Sequence, residues 1–409
     1  ARLAHRRAGS RSFPCLRSVS VRNGREFLAI PGPTNVPDEV LRAMHRPAIE
    51  FYSGALLDVT TACLDGLRRV FNTEGRTYIY AANGHGAWEA AVSNTLSRGD
   101  KVLVLESGRF AIGWGEMASM MGVEVEILPG DSRRAVDMAA LEARLRQDAD
   151  AEITAVMVVQ VDTASSVFND IPAVRKAMDA AGHPALLMVD AIASLVCTDF
   201  RADEWGVDVT VAGSQKGLML PPGLGFNAVS EKALSVTEKA TLPRSYWSWM
   251  EVLAANQTGF FPYTPATNLL MGLQEAVDML LGEGLENVFS RHMRFGEATR
   301  RAVQAWGLEL LCLNPLEYSN SLTAVMMPET INADDFRRVV LERFDMSLGN
   351  GLGQLAGNVF RIGHLGDFNY LMLMATLAGI EITLDVAAVP HKKGGVQAAV
   401  DYIAAQVQG

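Results

Sequence analysis

The stretch Val207-Asp208-Val209-Thr210-Val211-Ala212-Gly213-Ser214-Gln215-Lys216-Gly217-Leu218 runs from an apolar, β-branched segment into small residues and a single lysine. Val207 to Val211 reads as a buried strand, and the small residues Ala212-Gly213-Ser214 follow it. An ammonium at the end of a buried strand is costly to desolvate unless its amine has a use. One helix-length upstream, Leu186-Leu187-Met188-Val189-Asp190 closes another apolar run on a carboxylate. A lysine and a carboxylate at neighbouring strand ends suit an imine to an aldehyde cofactor. Pyridoxal phosphate (PLP) is such a cofactor: the carboxylate pairs with its ring nitrogen and keeps the ring an electron sink. Taken alone, a loop lysine and an N-cap aspartate are the simpler reading of the two residues. The rest of the chain reverses that preference.

From about residue 75, short apolar strands alternate with amphipathic helices. Thr77 to Tyr80, Lys101 to Leu105, Ile153 to Val159, Ala185 to Val189 and Asp208 to Val211 read as strands. Ala87 to Leu96, Asp137 to Arg146 and Ile171 to Ala181 read as helices between them. Such alternation predicts an α/β fold: a mainly parallel sheet sandwiched by helices, with ligands at the carboxyl ends of the strands. Lys216, Asp190 and the turn Asn83-Gly84-His85-Gly86 all fall at such ends. A helical stretch from Leu269 through Trp306 leads to a smaller α+β region with strands at Leu322 to Met326 and Val359 to Ile362, and helices at Ala333 to Arg343 and Val396 to Val407. The division expected is a leader over 1–25, an arm and large domain over 26–288, and a small C-terminal domain over 289–409.

Asn83-Gly84-His85-Gly86-Ala87-Trp88 turns a strand into a helix, whose N-terminus offers N–H groups to an anion such as a phosphate. Gly84-x-Gly86 with Glu106 at the next strand end imitates a dinucleotide fingerprint, but Glu89 stands where its third glycine belongs. Phe110, just after another strand, could lie on a planar ring or pack in the core. Arg361, in Phe360-Arg361-Ile362-Gly363-His364, interrupts an apolar run. Its guanidinium suits bidentate capture of a carboxylate, or it is a buried arginine satisfied by carbonyls.

The 409 residues carry a net charge of -10, which argues against a nucleic-acid partner. Cys15, Cys63, Cys197 and Cys312 have neither C-x-x-C nor metal-ligand spacing, so a reduced cytoplasmic protein without disulfides is expected. No apolar run is long enough for a membrane helix. Residues 1–25 hold seven arginines, four serines and no acid. They read as an organellar transit segment or, preferably, as a disordered extension.

With these residues assembled, the chain resembles the class V (fold type I) PLP aminotransferases, nearest to the serine–glyoxylate and alanine–glyoxylate subfamily. The resemblance runs from about Phe27 to the C-terminus. It is densest at Pro31-Gly32-Pro33-Thr34-Asn35-Val36-Pro37, Ala87-Trp88-Glu89-Ala90-Ala91, Asp203 to Asp208, Gly213 to Pro221 and Phe360 to Gly366. It implies a large domain with a seven-stranded sheet and a homodimer with active sites at its interface. It implies that Lys216 forms the Schiff base and moves the proton, that Asp190 pairs with the ring nitrogen and that Phe110 stacks on the ring. Thr163 would sit near the ring hydroxyl. Gly84, His85 and Gln215, with Ile192 nearby and Thr264 from the neighbouring subunit, would hold the cofactor and its phosphate. Arg361 and Tyr52 would meet the substrate. The implied activity is ping-pong transfer from serine or alanine to glyoxylate or pyruvate.

Departures from the subfamily pattern fall at Glu50-Phe51-Tyr52-Ser53, at Gln160 to Ser166 and at Phe261. They keep other donors, aspartate and pyridoxamine among them, in view. A same-fold lyase or desulfurase would want a histidine where Gln215 stands. A nicotinamide oxidoreductase would leave Lys216 unexplained. A non-catalytic ligand-binding homologue would have no need of Lys216, Asp190 and Arg361 together.

Overall fold

The computed structural model describes residues 25–407. Its larger sheet has seven strands in the order Arg76–Ala81, Leu224–Val229, Val209–Gly213, Leu186–Asp190, Ile153–Val159, Lys101–Leu105, Glu124–Leu128. Leu224–Val229 pairs antiparallel with both of its neighbours, and the other pairings are parallel. Side chains alternate across a strand, so each apolar run feeds two faces at once. Leu103, Leu105, Val156, Val158, Leu187 and Val189 enter one buried cluster with the helices Ala55–Phe71 and Ile171–Ala181. Val102, Val104, Ala155, Met157, Leu186 and Met188 enter the other with Gly84–Thr95 and Arg109–Met120. Two-sided burial explains why these strands read as continuous apolar runs.

A second sheet orders Phe27–Ala29, Met346–Asn350, Val359–Gly363, Leu322–Met326 and Glu309–Leu310. Leu285–Ala305, Ala333–Phe344, Tyr370–Val386 and Gly395–Val407 bury their apolar sides in its cluster. Three features differ from the sequence reading. The stretch Leu269 through Trp306 is two helices, Thr267–Glu283 and Leu285–Ala305, parted at Gly284, whose φ of +84° suits glycine. A boundary between 288 and 289 therefore falls inside the second helix. The arm assigned with the large domain supplies Phe27–Ala29, which pairs in parallel with Met346 to Leu348 of the second sheet. Asn35 fixes that strand by bonding both the N–H and the carbonyl of Leu28. The expectation for 1–25 lies outside the described residues except at Arg25. Among the described residues no helix is long and apolar enough to cross a membrane.

Candidate active site

Six same-direction strands end on one side of the large sheet, and five of them carry the site. Gly84 and His85 follow the first, Phe110 follows Lys101–Leu105, and Val159, Asp190 and Lys216 end or follow the next three. Together with Trp88, Val161, Thr163, Ile192 and Gln215 they line a cavity of about 220 Å³, to which Gly32 and Pro33 of the arm also contribute. Ligand sites of parallel sheets lie where these side chains meet.

Lys216 Nζ donates to the carbonyl of Pro31. Gly32 has φ +102°, and a Cβ on it would stand 2.5 Å from the lysine Cδ. The arm thus packs backbone directly on the amine stem, an approach open only to glycine. Burial, reinforced by the Arg361 charge, lowers the Lys216 pKa from 10.5 to about 8. Trace acetic anhydride labelling of the ligand-free protein, read by peptide mass, should reach half its plateau at Lys216 near pH 8. In the protein unfolded in urea the same lysine should label only well above that, and identical profiles for the folded and unfolded protein would refute a perturbed amine.

Asp190 is 3% exposed. Burial raises its pKa to about 7 against the pull of its two hydrogen bonds and of Lys216. Ile192 N–H donates to Oδ1 at 2.7 Å and Trp88 Nε1–H to Oδ2 at 2.8 Å.

The glycine turn differs in detail from the expectation of several free N–H groups. Asn83 Oδ1 accepts from the amides of His85 at 3.0 Å and Gly86 at 3.3 Å. This caps the helix and leaves Gly84 N–H as the unpartnered amide of the first turn among the described residues. Burial, helped by Arg109, keeps the His85 pKa below the ordinary imidazole value. The Oε1 of Gln215 is buried without a partner. A Cβ on Gly84 would stand 2.2 Å from Ile192 Cδ1, so any larger residue there must displace the isoleucine side chain.

Arg361 is 7% exposed and lies behind the wall formed by Thr163. Its Nη1 donates to Thr163 O at 2.8 Å and its Nε to Asn350 O at 2.6 Å. Burial and Arg337 push its pKa down to about 10, and Asp162 opposes them. Tyr52 and Thr264 do not join this cavity. They line a second, of about 240 Å³, with Phe51, Leu56, Phe261 and Tyr263. Tyr52 is 69% exposed there.

Two further residues escaped the sequence reading. Trp88 stands four residues after Gly84 on the same helix face, a spacing that could have marked it. Asp162 is buried, and its Oδ2 accepts from the amides of Phe110 at 2.8 Å and Ala111 at 3.1 Å. Its Oδ1 accepts from Ala164 N–H at 2.9 Å. A carboxylate distant in sequence thus caps the helix that carries Phe110, and nothing local announces it.

A seven-stranded sheet with one reversed strand, delivering a lysine from the strand beside the reversal, has the architecture of the fold type I PLP-dependent transferases. Residues 27–352 match the family Aminotransferase class-V, and the chain belongs to that family. It is 46% identical to the serine–glyoxylate aminotransferase of Methylorubrum extorquens, over 93% of this chain and 97% of that one. It is 41% identical to the L-aspartate–glyoxylate aminotransferase of Paracoccus denitrificans, over 91% and 95%. The crystal structure of pyridoxamine–pyruvate aminotransferase from Mesorhizobium loti superposes with a TM-score of 0.86 at 29% identity, covering 93% and 97%. The chain is an aminotransferase.

Proposed function

We propose that this aminotransferase uses PLP to move an amino group from a small L-amino acid, serine first and alanine second, to glyoxylate. Pyruvate is the alternative acceptor. The observation that carries the reading is the meeting of Lys216 and Asp190 in one cavity that Gly84, His85 and Gln215 also line. When bound, PLP supplies an aldehyde carbon for the amine and a ring that stores the electrons of the broken Cα–H bond.

The residues present fit that group. An amine of pKa about 8 is neutral in roughly a tenth of molecules at pH 7, against about 0.03% for an ordinary lysine. Lys216 Nζ can therefore attack a carbonyl, and once displaced it takes the proton from the substrate α-carbon and would pass it to the carbon that held the aldehyde. Asp190 presents an oxygen to hold a proton on a ring nitrogen. Gly84 N–H and the Gln215 amide serve a phosphate, and Thr264 of the partner subunit completes that end in a homodimer. Arg361, its plane fixed by two carbonyls, offers Nη2 to the carboxylate shared by donor and acceptor. Phe110 covers the ring from the Asp162-capped helix, Ile192 supports the turn from below and Thr163 stands at the ring edge. Tyr52 meets the substrate from the second cavity.

Serine ranks above aspartate as donor on charge. A second carboxylate would need a cation beyond Arg361, and among the described residues the basic side chains in the lining are Lys216 and His85. The test is a visible spectrum of the PLP-loaded protein. L-Serine should bleach the yellow colour and glyoxylate should restore it. Bleaching by aspartate alone would replace the donor, and a protein that stays colourless with added PLP would overturn the cofactor.

A further inference from the structure

Asp190 has two hydrogen-bond donors among the described residues, one to each oxygen. The Ile192 amide is local, and any residue but proline at 192 supplies it. The Trp88 indole arrives from 102 positions away and depends on the side chain. That indole is held on several sides. Trp114 stacks on it at 5.8 Å and 13°, the His85 ring lies at 4.5 Å, and Phe110 meets it edge-on at 6.4 Å. We propose that Trp88 is a positioning residue: its Nε1–H holds Asp190 ionised and aimed at the ring nitrogen of the cofactor. This rests on the PLP reading above.

Burial works against the Asp190 anion, and the buried carboxylate of Asp162 adds to the penalty. Lys216 across the cavity favours the anion, and His85 on the Trp88 helix is held towards its neutral form. Hydrogen bonds from Ile192 and Trp88 make up the rest of the support. A carboxyl already poised near pH 7 changes state when it loses one of two donors, and a protonated Asp190 cannot hold a proton on the ring. Trp114 offers an internal contrast. It belongs to the same stacked pair, is equally buried, and its own Nε1 has no partner. Replacing Trp114 with Phe removes packing alone, and replacing Trp88 with Phe removes packing and a donor.

The experiment compares Trp88→Phe with Trp114→Phe in ligand-free and PLP-loaded protein. In the ligand-free parent, the indole ¹⁵N–¹H resonance absent from Trp88→Phe should titrate near pH 7, and Asp190→Asn should abolish that titration. With PLP, Trp88→Phe should raise the PLP dissociation constant about tenfold and move the acid limb of kcat/KM up by about one pH unit. Trp114→Phe should leave both unchanged. An indole resonance insensitive to pH, or two Phe variants with the same limb and the same dissociation constant, overturns the proposal. A parent that binds no PLP overturns it too, and a preserved indole titration then identifies the cofactor reading as the part that failed.

Discussion

Lys216→Ala should lower kcat by about 10⁴-fold or more while leaving the protein folded, with no visible colour on adding PLP. The magnitude follows from losing the nucleophile and the proton carrier together, since a positioned acid–base group alone contributes up to about 10⁴-fold. Stability should move the opposite way at neutral pH. The folded-state pKa of Lys216 is depressed from 10.5 to about 8, so below pH 8 the folded protein carries a buried ammonium that the unfolded chain would hydrate. That cost is complete below pH 8, shrinks between 8 and 10.5, and vanishes above. At pH 7 it is worth about 3 kcal/mol. Removing the ammonium recovers it, offset by lost stem packing against Gly32 and by the Pro31 carbonyl left unpaired. Thermal melts of the ligand-free proteins should therefore show the variant's advantage at pH 7 eroding as pH approaches 10. An advantage that grows with pH, or a variant that turns over at the parent rate, would sink the assignment.

The parts of the fold visible in the sequence were those set by local pattern. Two-sided burial made Ile153–Val159 and Leu186–Asp190 continuous apolar runs, and strand-end placement singled out Lys216, Asp190 and Gly84. Leu224–Val229 went unread because Gly225 and Asn227 interrupt its pattern. Both are buried in the sheet, and a Cβ on Gly225 would lie 2.5 Å from the Asn83 carbonyl. Phe27–Ala29 has only three residues, and its place is decided by an unpaired strand edge more than 300 residues away. Asp162 was hidden for the same reason: it caps a helix remote in sequence, and pairing of that kind leaves no periodic trace, whereas Trp88 left only its i+4 spacing from Gly84. Residue type did mark Arg361, and of its two readings the structure shows the buried arginine satisfied by carbonyls, while carboxylate capture stays a proposal. Two of its nitrogens satisfy carbonyls, and that is what fixes the third.

Arg361→Lys should raise KM for the amino donor and for the keto acceptor by about 10²-fold each, because both present the same carboxylate to one guanidinium. Charge is retained in this variant, so the loss isolates the planar fork. A lysine has one nitrogen where Arg361 uses Nε on Asn350 and Nη1 on Thr163, and it cannot hold both carbonyls and still face a substrate. The variant will also loosen the Thr163 segment, so KM alone does not separate binding from positioning. Comparing L-alanine with ethylamine in the colour-bleaching half-reaction does. The two amines differ in the carboxylate, and the parent should prefer alanine by about 10³-fold, the worth of two charge-assisted hydrogen bonds in a buried site. In Arg361→Lys that preference should fall by at least tenfold, with ethylamine reacting at nearly the parent rate. If alanine and ethylamine slow by the same factor, Arg361 supports the wall of the cavity and some other group binds the carboxylate.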